Sequence, residues 1–158
     1  MTDPIPPAST FHDLDLPAPL LAALDEVGYE TPSPIQAQAI PHLLKGLDLL
    51  GHAPTGTGKT AAFALPLLSR LDIAAKHVQV MTLTPTRELA IQVAGEVRAM
   101  ARHAGIEALE IYGGVAYGPQ IDGLERGVQF VAGTPGRILD HLNAGRMNLS
   151  KLKVLIFD

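Results

Sequence analysis

Residues 53–60 read Ala-Pro-Thr-Gly-Thr-Gly-Lys-Thr (APTGTGKT), two glycines followed by a lysine and a threonine. A glycine-rich turn of this kind wraps phosphate oxygens with backbone N–H groups at the start of a helix. Lys59 adds a point charge for the outer phosphates, and the Thr60 hydroxyl is a ligand for Mg²⁺. The common pattern G-x-x-x-x-G-K-[ST] opens on glycine, whereas Ala53 stands here; a methyl group is the least demanding replacement. The apolar run DLLGHA (48–53) reads as a short strand entering the loop, and Thr60 to Leu71 reads as a helix leaving it. Strand, loop and helix together are the setting that a phosphate cradle requires.

Outward from the loop the chain alternates. Toward the N-terminus, PAPLLAALDEVG (17–28) is expected to be a helix capped by Gly28, and a second helix runs from Ile35 towards Lys45 and Gly46. Toward the C-terminus, strands at 78–84, 106–112, 128–133 and 153–158 alternate with helices at 86–105, around 120–126 and at 135–144. Nearly continuous apolar strands separated by helices indicate an α/β fold, a parallel sheet flanked by helices on both faces. Residues 1–10 carry three prolines and read as a flexible arm; residues 11–158 read as one domain. The chain reaches Asp158 at the end of an apolar strand, which suggests a sheet left incomplete and a fragment cut from a larger protein.

Composition narrows the function. Hydrophobic residues are 47% and charged residues 18%, the balance of a well-buried globular domain. The absence of cysteine excludes disulfides and thiolate metal sites. Six histidines are scattered without an i, i+4 pair, so they give metal ligation no support. The net charge of −4 means that any nucleic acid must be gripped by a few placed groups rather than by a general basic field. The first ten residues lack the features of a secretory signal, and no apolar run approaches membrane-spanning length, so the cytoplasm is the default location.

A phosphate cradle does not choose a base. In GYETPSPIQ (28–36), Gln36 offers one donor and one acceptor, matching the N7 and N6 amino group of adenine and mismatching guanine. Tyr29 is available for stacking. Taken alone, a glutamine near a helix start is more often a solvated cap.

Phe11, GYETPSPIQ, APTGTGKT, PTRELA (85–90), Gly113-Gly114, TPGR (134–137) and VLIFD (154–158) follow one another in this order and spacing. Together they resemble the N-terminal RecA-like P-loop domain of a DEAD-box ATP-dependent RNA helicase. The likeness covers nearly all of the chain from Phe11 onward. In that family the phosphate loop typically opens on alanine, so Ala53 is a match. The resemblance implies ATP and Mg²⁺ as cofactors. Gln36 would recognise adenine, Tyr29 would stack on it and Phe11 would buttress both. Thr55, Gly56, Thr57, Gly58, Lys59 and Thr60 would hold the phosphates. Lys59, Thr60 and Asp158 would form the catalytic group, with Thr60 and Asp158 (the first residue of the D-E-A-D motif) serving the metal. Thr86, Arg87, Gly113, Gly114, Thr134 and Arg137 would lie along the RNA sugar–phosphate backbone.

The residue chemistry agrees with that implication. PTRELA and TPGR each follow an expected strand and open an expected helix, so they emerge at the carboxyl edge of the sheet, where α/β folds bind ligands. Threonine hydroxyls, arginine and helix N-termini grip phosphate without reading bases. With Arg87 and Arg137 as the main cationic contacts, the single-strand salt slope would be about −1.4. The resemblance further implies a second RecA-like domain in the parent chain, carrying the arginine finger, and hence little hydrolysis by these 158 residues alone. The alternatives are a P-loop ATPase that does not act on nucleic acid and a non-catalytic RNA-binding module.

Overall fold

The computed structural model describes residues 9–158, so most of the expected arm over 1–10 lies outside the described residues. The chain divides into two compact units, one up to Arg70 and one from Leu71 to Asp158.

The first unit is helical. Phe11–Asp13 form a single 3-10 turn in which the Asp13 carboxylate accepts from the N–H groups of Ser9 and Thr10, at 3.1 and 2.8 Å. Those bonds, the one to Thr10 foremost, hold Asp13 below the ordinary carboxylate range. Helix α1 (Ala18–Val27) starts after Pro17, whose missing N–H costs nothing there, and stops at Gly28 in the left-handed region. It buries Leu20, Ala23 and Leu24. Helix α2 (Pro34–Leu44) packs against α3 (Lys59–Leu68). The apolar run 48–53 corrects the sequence expectation, because it forms no strand. Leu50 is fully exposed and Leu47 and Leu49 are about half exposed. Apolar composition makes a strand only where a partner completes its hydrogen bonds, and among the described residues this segment has no ladder.

The second unit is a four-stranded parallel sheet in the order β2-β3-β1-β4. In chain order the elements are β1 (Val80–Leu83), α4 (Arg87–Met100), β2 (Ala108–Ile111), α5 (Gly118–Arg126), β3 (Phe130–Gly133), α6 (Pro135–Asn143) and β4 (Val154–Phe157). Val80, Phe130, Val154 and Ala108 stand in one register row. Helix α4 packs on β2 and β3 through a buried stripe of Ala90, Val93, Ala94 and Val97. On the other face Met81, Ile111 and Val131 form a core with Ile138 of α6, and Leu124 of α5 packs beside it. The nearly continuous burial of β1 and β3 is that of parallel strands covered on both faces.

The amino edge of this sheet is sealed by two buried glutamines. Gln79 accepts from Asp72 N–H at 3.0 Å and donates to Asp72 C=O at 2.7 Å. Gln129 accepts from Glu107 N–H at 2.9 Å and donates to Ile73 C=O at 3.3 Å. Among the described residues, no helix is long and apolar enough to cross a membrane, and no group of three metal-ligating side chains converges.

Candidate functional site

In the first unit the phosphate loop is shaped by glycine. Gly56 and Gly58 have φ of 82° and 81°, a region that disfavours any side chain. Gly58 is the N-cap of α3, so the N–H groups of the first turn point out of the helix start toward the loop. Thr57 Oγ1 donates to the Pro54 carbonyl at 2.7 Å and closes the turn from within. Lys59 opens the helix and Thr60 is buried at its second position. Left-handed glycines before a helix, with lysine and threonine at its start, form a nest for phosphate, and the residues present fit that group.

The same loop is tied to the segment expected to read the base. Ser33 Oγ donates to Thr57 C=O at 2.7 Å, and Gln36 Nε2 donates to Gly58 C=O at 3.1 Å. Gln36 Oε1 accepts from Ser33 N–H at 2.9 Å, capping α2. Gln36 is 3% exposed, and a Cβ on Gly58 would collide with its amide. A glutamine amide has four hydrogen-bonding positions, two hydrogens and two lone pairs. Two are used here, leaving one donor and one acceptor, the pair that adenine matches. Phe11, buried, meets the Tyr29 ring edge-on with centroids 5.8 Å apart. Ser33, the second tie to the loop, was missing from the sequence reading; a serine before Pro-x-Gln signals only a cap.

In the second unit, parallel strands deliver the loops to one edge. The order β2-β3-β1-β4 lays out, side by side, the Gly113-Gly114 loop, TPGR, PTRELA and Asp158. At about 4.8 Å per strand, the first three span roughly 10 Å. Thr86 is the N-cap of α4, accepting from Leu89 N–H at 3.2 Å. Arg87 is 61% exposed and paired with Glu88 at 2.7 Å. That bond holds Glu88 below its usual range and raises Arg87 further. Gly113 and Gly114 are exposed, with open space above each and φ of 82° at Gly114. Thr134 caps α6 by backbone only, leaving its hydroxyl uncommitted to the helix. Asp158 is anchored by its N–H to the Leu83 carbonyl at 3.0 Å. Thr84, another residue the sequence reading missed, is buried and donates to Thr86 C=O at 3.0 Å, fixing the start of PTRELA.

Arg137 lies where the motif spacing puts it, but its side chain is only 7% exposed. Around it gather Tyr117, Gln120, Asp140 and His141, none of which the sequence reading singled out. His141 is fully buried. Burial, then the nearby charges of Arg146 and Arg137, push its imidazole below the ordinary value, against a weaker opposite pull from Asp140.

The sequence model of the DEAD/DEAH box helicase family matches residues 33–158. The chain is 54% identical over 151 residues to the ATP-dependent RNA helicase DeaD of Escherichia coli K12, covering 95% of this chain and 24% of that protein. It is 52% identical to the DeaD helicase of Haemophilus influenzae, covering 100% of this chain and 25% of that one. A crystal structure of a DEAD box protein from Methanococcus jannaschii superposes with a TM-score of 0.90 at 41% identity, over 96% of this chain and 42% of that one. A hypothetical ATP-dependent RNA helicase from Sulfolobus tokodaii gives 0.80 at 36% identity, over 89% and 40%. The chain spans about a quarter of the length of the curated relatives it matches.

Proposed function

Since the chain belongs to the DEAD/DEAH box helicase family, we propose that it is the ATP- and RNA-binding part of an ATP-dependent RNA helicase, acting in the cytoplasm to separate short RNA duplexes. The observation that carries this reading is the tie between Gln36 and the phosphate loop. One buried amide caps α2, holds the Gly58 carbonyl and keeps an adenine-matching pair. Recognition of the base is thereby linked mechanically to the loop that takes the phosphates. A generic phosphate cradle has no need of such a link.

The chain's own residues have separable tasks. Gln36 reads the base and Tyr29, backed by Phe11, covers it. Thr55 to Gly58 offer N–H groups to the phosphates, and Lys59 neutralises charge on the outer ones. Within the phosphate loop Thr60 would face the metal, and Asp158, at the end of β4, would offer a carboxylate for it; Mg²⁺ would supply electrostatic stabilisation of the transferring phosphoryl group. Thr86, Arg87, Gly113, Gly114 and Thr134 line one sheet edge with phosphate-binding groups and no base-reading ones, which supports contact with RNA independent of sequence. A second RecA-like domain of the parent protein would close over both sites and supply the arginine finger, a residue worth about 10³–10⁵ in kcat.

The test is ATP hydrolysis by the full-length protein with and without single-stranded RNA, beside unwinding of a short duplex. RNA-stimulated hydrolysis with unwinding is expected. Hydrolysis indifferent to RNA would point to an ATPase of another kind, and RNA binding without ATP binding would point to a non-catalytic module.

A further inference from the structure

Arg137 is surrounded by acceptors from the loop that follows β2, from α5 and from its own helix α6. Its two terminal nitrogens both donate to the Val115 carbonyl at 3.1 Å, and one also donates to Gln120 Oε1 at 3.3 Å. Its guanidinium carbon lies 3.9 Å from the centroid of the Tyr117 ring, and Nε faces Asp140 at 3.7 Å. Tyr117 in turn donates to Asp140 at 3.0 Å. Arginine has five N–H groups in a rigid fork. With three of these in hydrogen bonds and one face on an aromatic ring, the fork is already engaged within the fold.

Gln120 completes the arrangement. Its Nε2 donates to the Tyr112 carbonyl at 3.0 Å, while Oε1 accepts from Arg137, so the orientation of the amide is determined by its neighbours. His141 Nε2 lies 2.8 Å from that same oxygen and therefore carries the hydrogen. His141 Nδ1 is then a bare acceptor, and among the described residues it and Thr82 Oγ1 are the buried side-chain polar atoms without a partner. The loop is thus held at its start (Tyr112), its middle (Val115) and its end (Tyr117). Gly113 and Gly114, between the first two points, touch nothing above them.

We propose that Arg137, with Gln120, His141 and Tyr117, is a positioning residue that clamps the Gly113-Gly114 loop to the start of α6, and acts on RNA through that loop rather than as a phosphate ligand. This rests on the RNA-binding reading given above. The clamp joins two neighbouring loops of the sheet edge into one rigid surface, so the glycine backbone and Thr134 are presented to a strand together. A freed loop must be ordered again on binding, at a cost in conformational entropy, so freeing it is expected to weaken RNA binding roughly tenfold or more.

The two roles of Arg137 make opposite forecasts in the full-length protein, read as single-stranded RNA affinity at several salt concentrations. Under the clamp, Arg137→Lys loses about as much affinity as Arg137→Ala, because an ammonium cannot replace a stacked, bridging fork. Tyr117→Leu, which touches no phosphate in either account, gives a similar loss. The salt slope stays at the wild-type value in all three, and ATP affinity is unchanged. Under direct phosphate contact, Arg137→Lys binds nearly as wild type, Arg137→Ala loses about 0.7 from the slope, and Tyr117→Leu is silent; that outcome overturns the inference. Should either arginine variant fail to fold, judged by lost ATP binding, Tyr117→Leu alone decides between the two. Absence of RNA binding by the wild-type protein would instead refute the functional reading on which this inference stands.

Discussion

Replacing Gln36 by glutamate separates two contacts that its amide makes at once. Gln36 Oε1 caps α2 through the Ser33 N–H, while Nε2 holds the Gly58 carbonyl at 3.1 Å. Glutamate keeps the first contact, since it serves a helix start as well as glutamine does. It loses the second, because a carboxylate has no hydrogen to donate. The Gly58 carbonyl then faces another acceptor, and so does adenine N7. A buried polar group stripped of its partner costs about 1–3 kcal/mol. At 1.4 kcal/mol per factor of ten, the ATP dissociation constant should rise roughly 5- to 150-fold. The melting temperature should fall as well, although the cap survives, because the unpaired Gly58 carbonyl and the buried carboxylate burden the folded protein even without ATP. Gln36→Ala removes both contacts; losing a cap costs about 1 kcal/mol, which lowers the melting temperature of a chain this long by about 2–4 °C. Calorimetric titration of wild type and both variants with ATP and with GTP, beside thermal unfolding curves, measures all of this. If Gln36→Glu binds ATP as tightly as wild type, or if wild type binds ATP and GTP equally, the amide reads neither the loop nor the base.

Lys59→Ala should weaken ATP and GTP binding by the same factor, about tenfold or more for a lost charge-assisted bond; a loss confined to ATP, seen in the same titration, would contradict its role on phosphate. Arg87→Ala should reduce the single-stranded RNA salt slope by about 0.7 with no change in base preference, and binding isotherms at several salt concentrations check it. Gly133→Ala would put a Cβ 2.7 Å from the Ile111 carbonyl and 2.8 Å from Ile138; denaturant titration should show a loss of about 1–3 kcal/mol. His141 is held below its ordinary value by burial, so its contribution to stability is complete above the unfolded value of about 6.5. As pH falls through that value the unfolded chain gains a proton that the folded one refuses, at a slope of up to about 1.4 kcal/mol per pH unit. The stability gap between wild type and His141→Phe should therefore narrow on acidification, and a constant gap between denaturation curves at pH 7.5 and 5.5 would refute it.

Local signals carried most of the fold. Gly28 and Pro17 mark the ends of α1 and the stripe through Val93 and Val97 marks the buried face of α4, which stops at Met100 rather than at 105; the apolar runs before Thr84 and Thr134 mark β1 and β3. Residues 48–53 misled because strand formation depends on a distant partner, which no run of leucines reveals. The phosphate loop was legible because its chemistry sits in eight consecutive residues. The Gln120–His141 pair was not, because 21 residues separate two side chains that meet only when β3 brings α5 and α6 together. Arg137 shows a further limit: a motif reports charge, and only packing reports whether that charge faces solvent.

The glutamines at the amino edge of the sheet act as a datum line. Gln129 C=O accepts from the N–H groups of Gln79 and Val80, and Gln79 C=O accepts from those of Lys153 and Val154. Two chained carbonyls thereby fix the starting height of β3, β1 and β4, strands only four residues long. In so short a strand little else forbids a slip, and a slip of one residue would turn every side chain to the wrong face. The alignment of TPGR with PTRELA is thus set roughly 13 Å away, at about 3.3 Å per residue, by backbone carbonyls at the other end of the strands. Accuracy at the binding edge is manufactured at the opposite one.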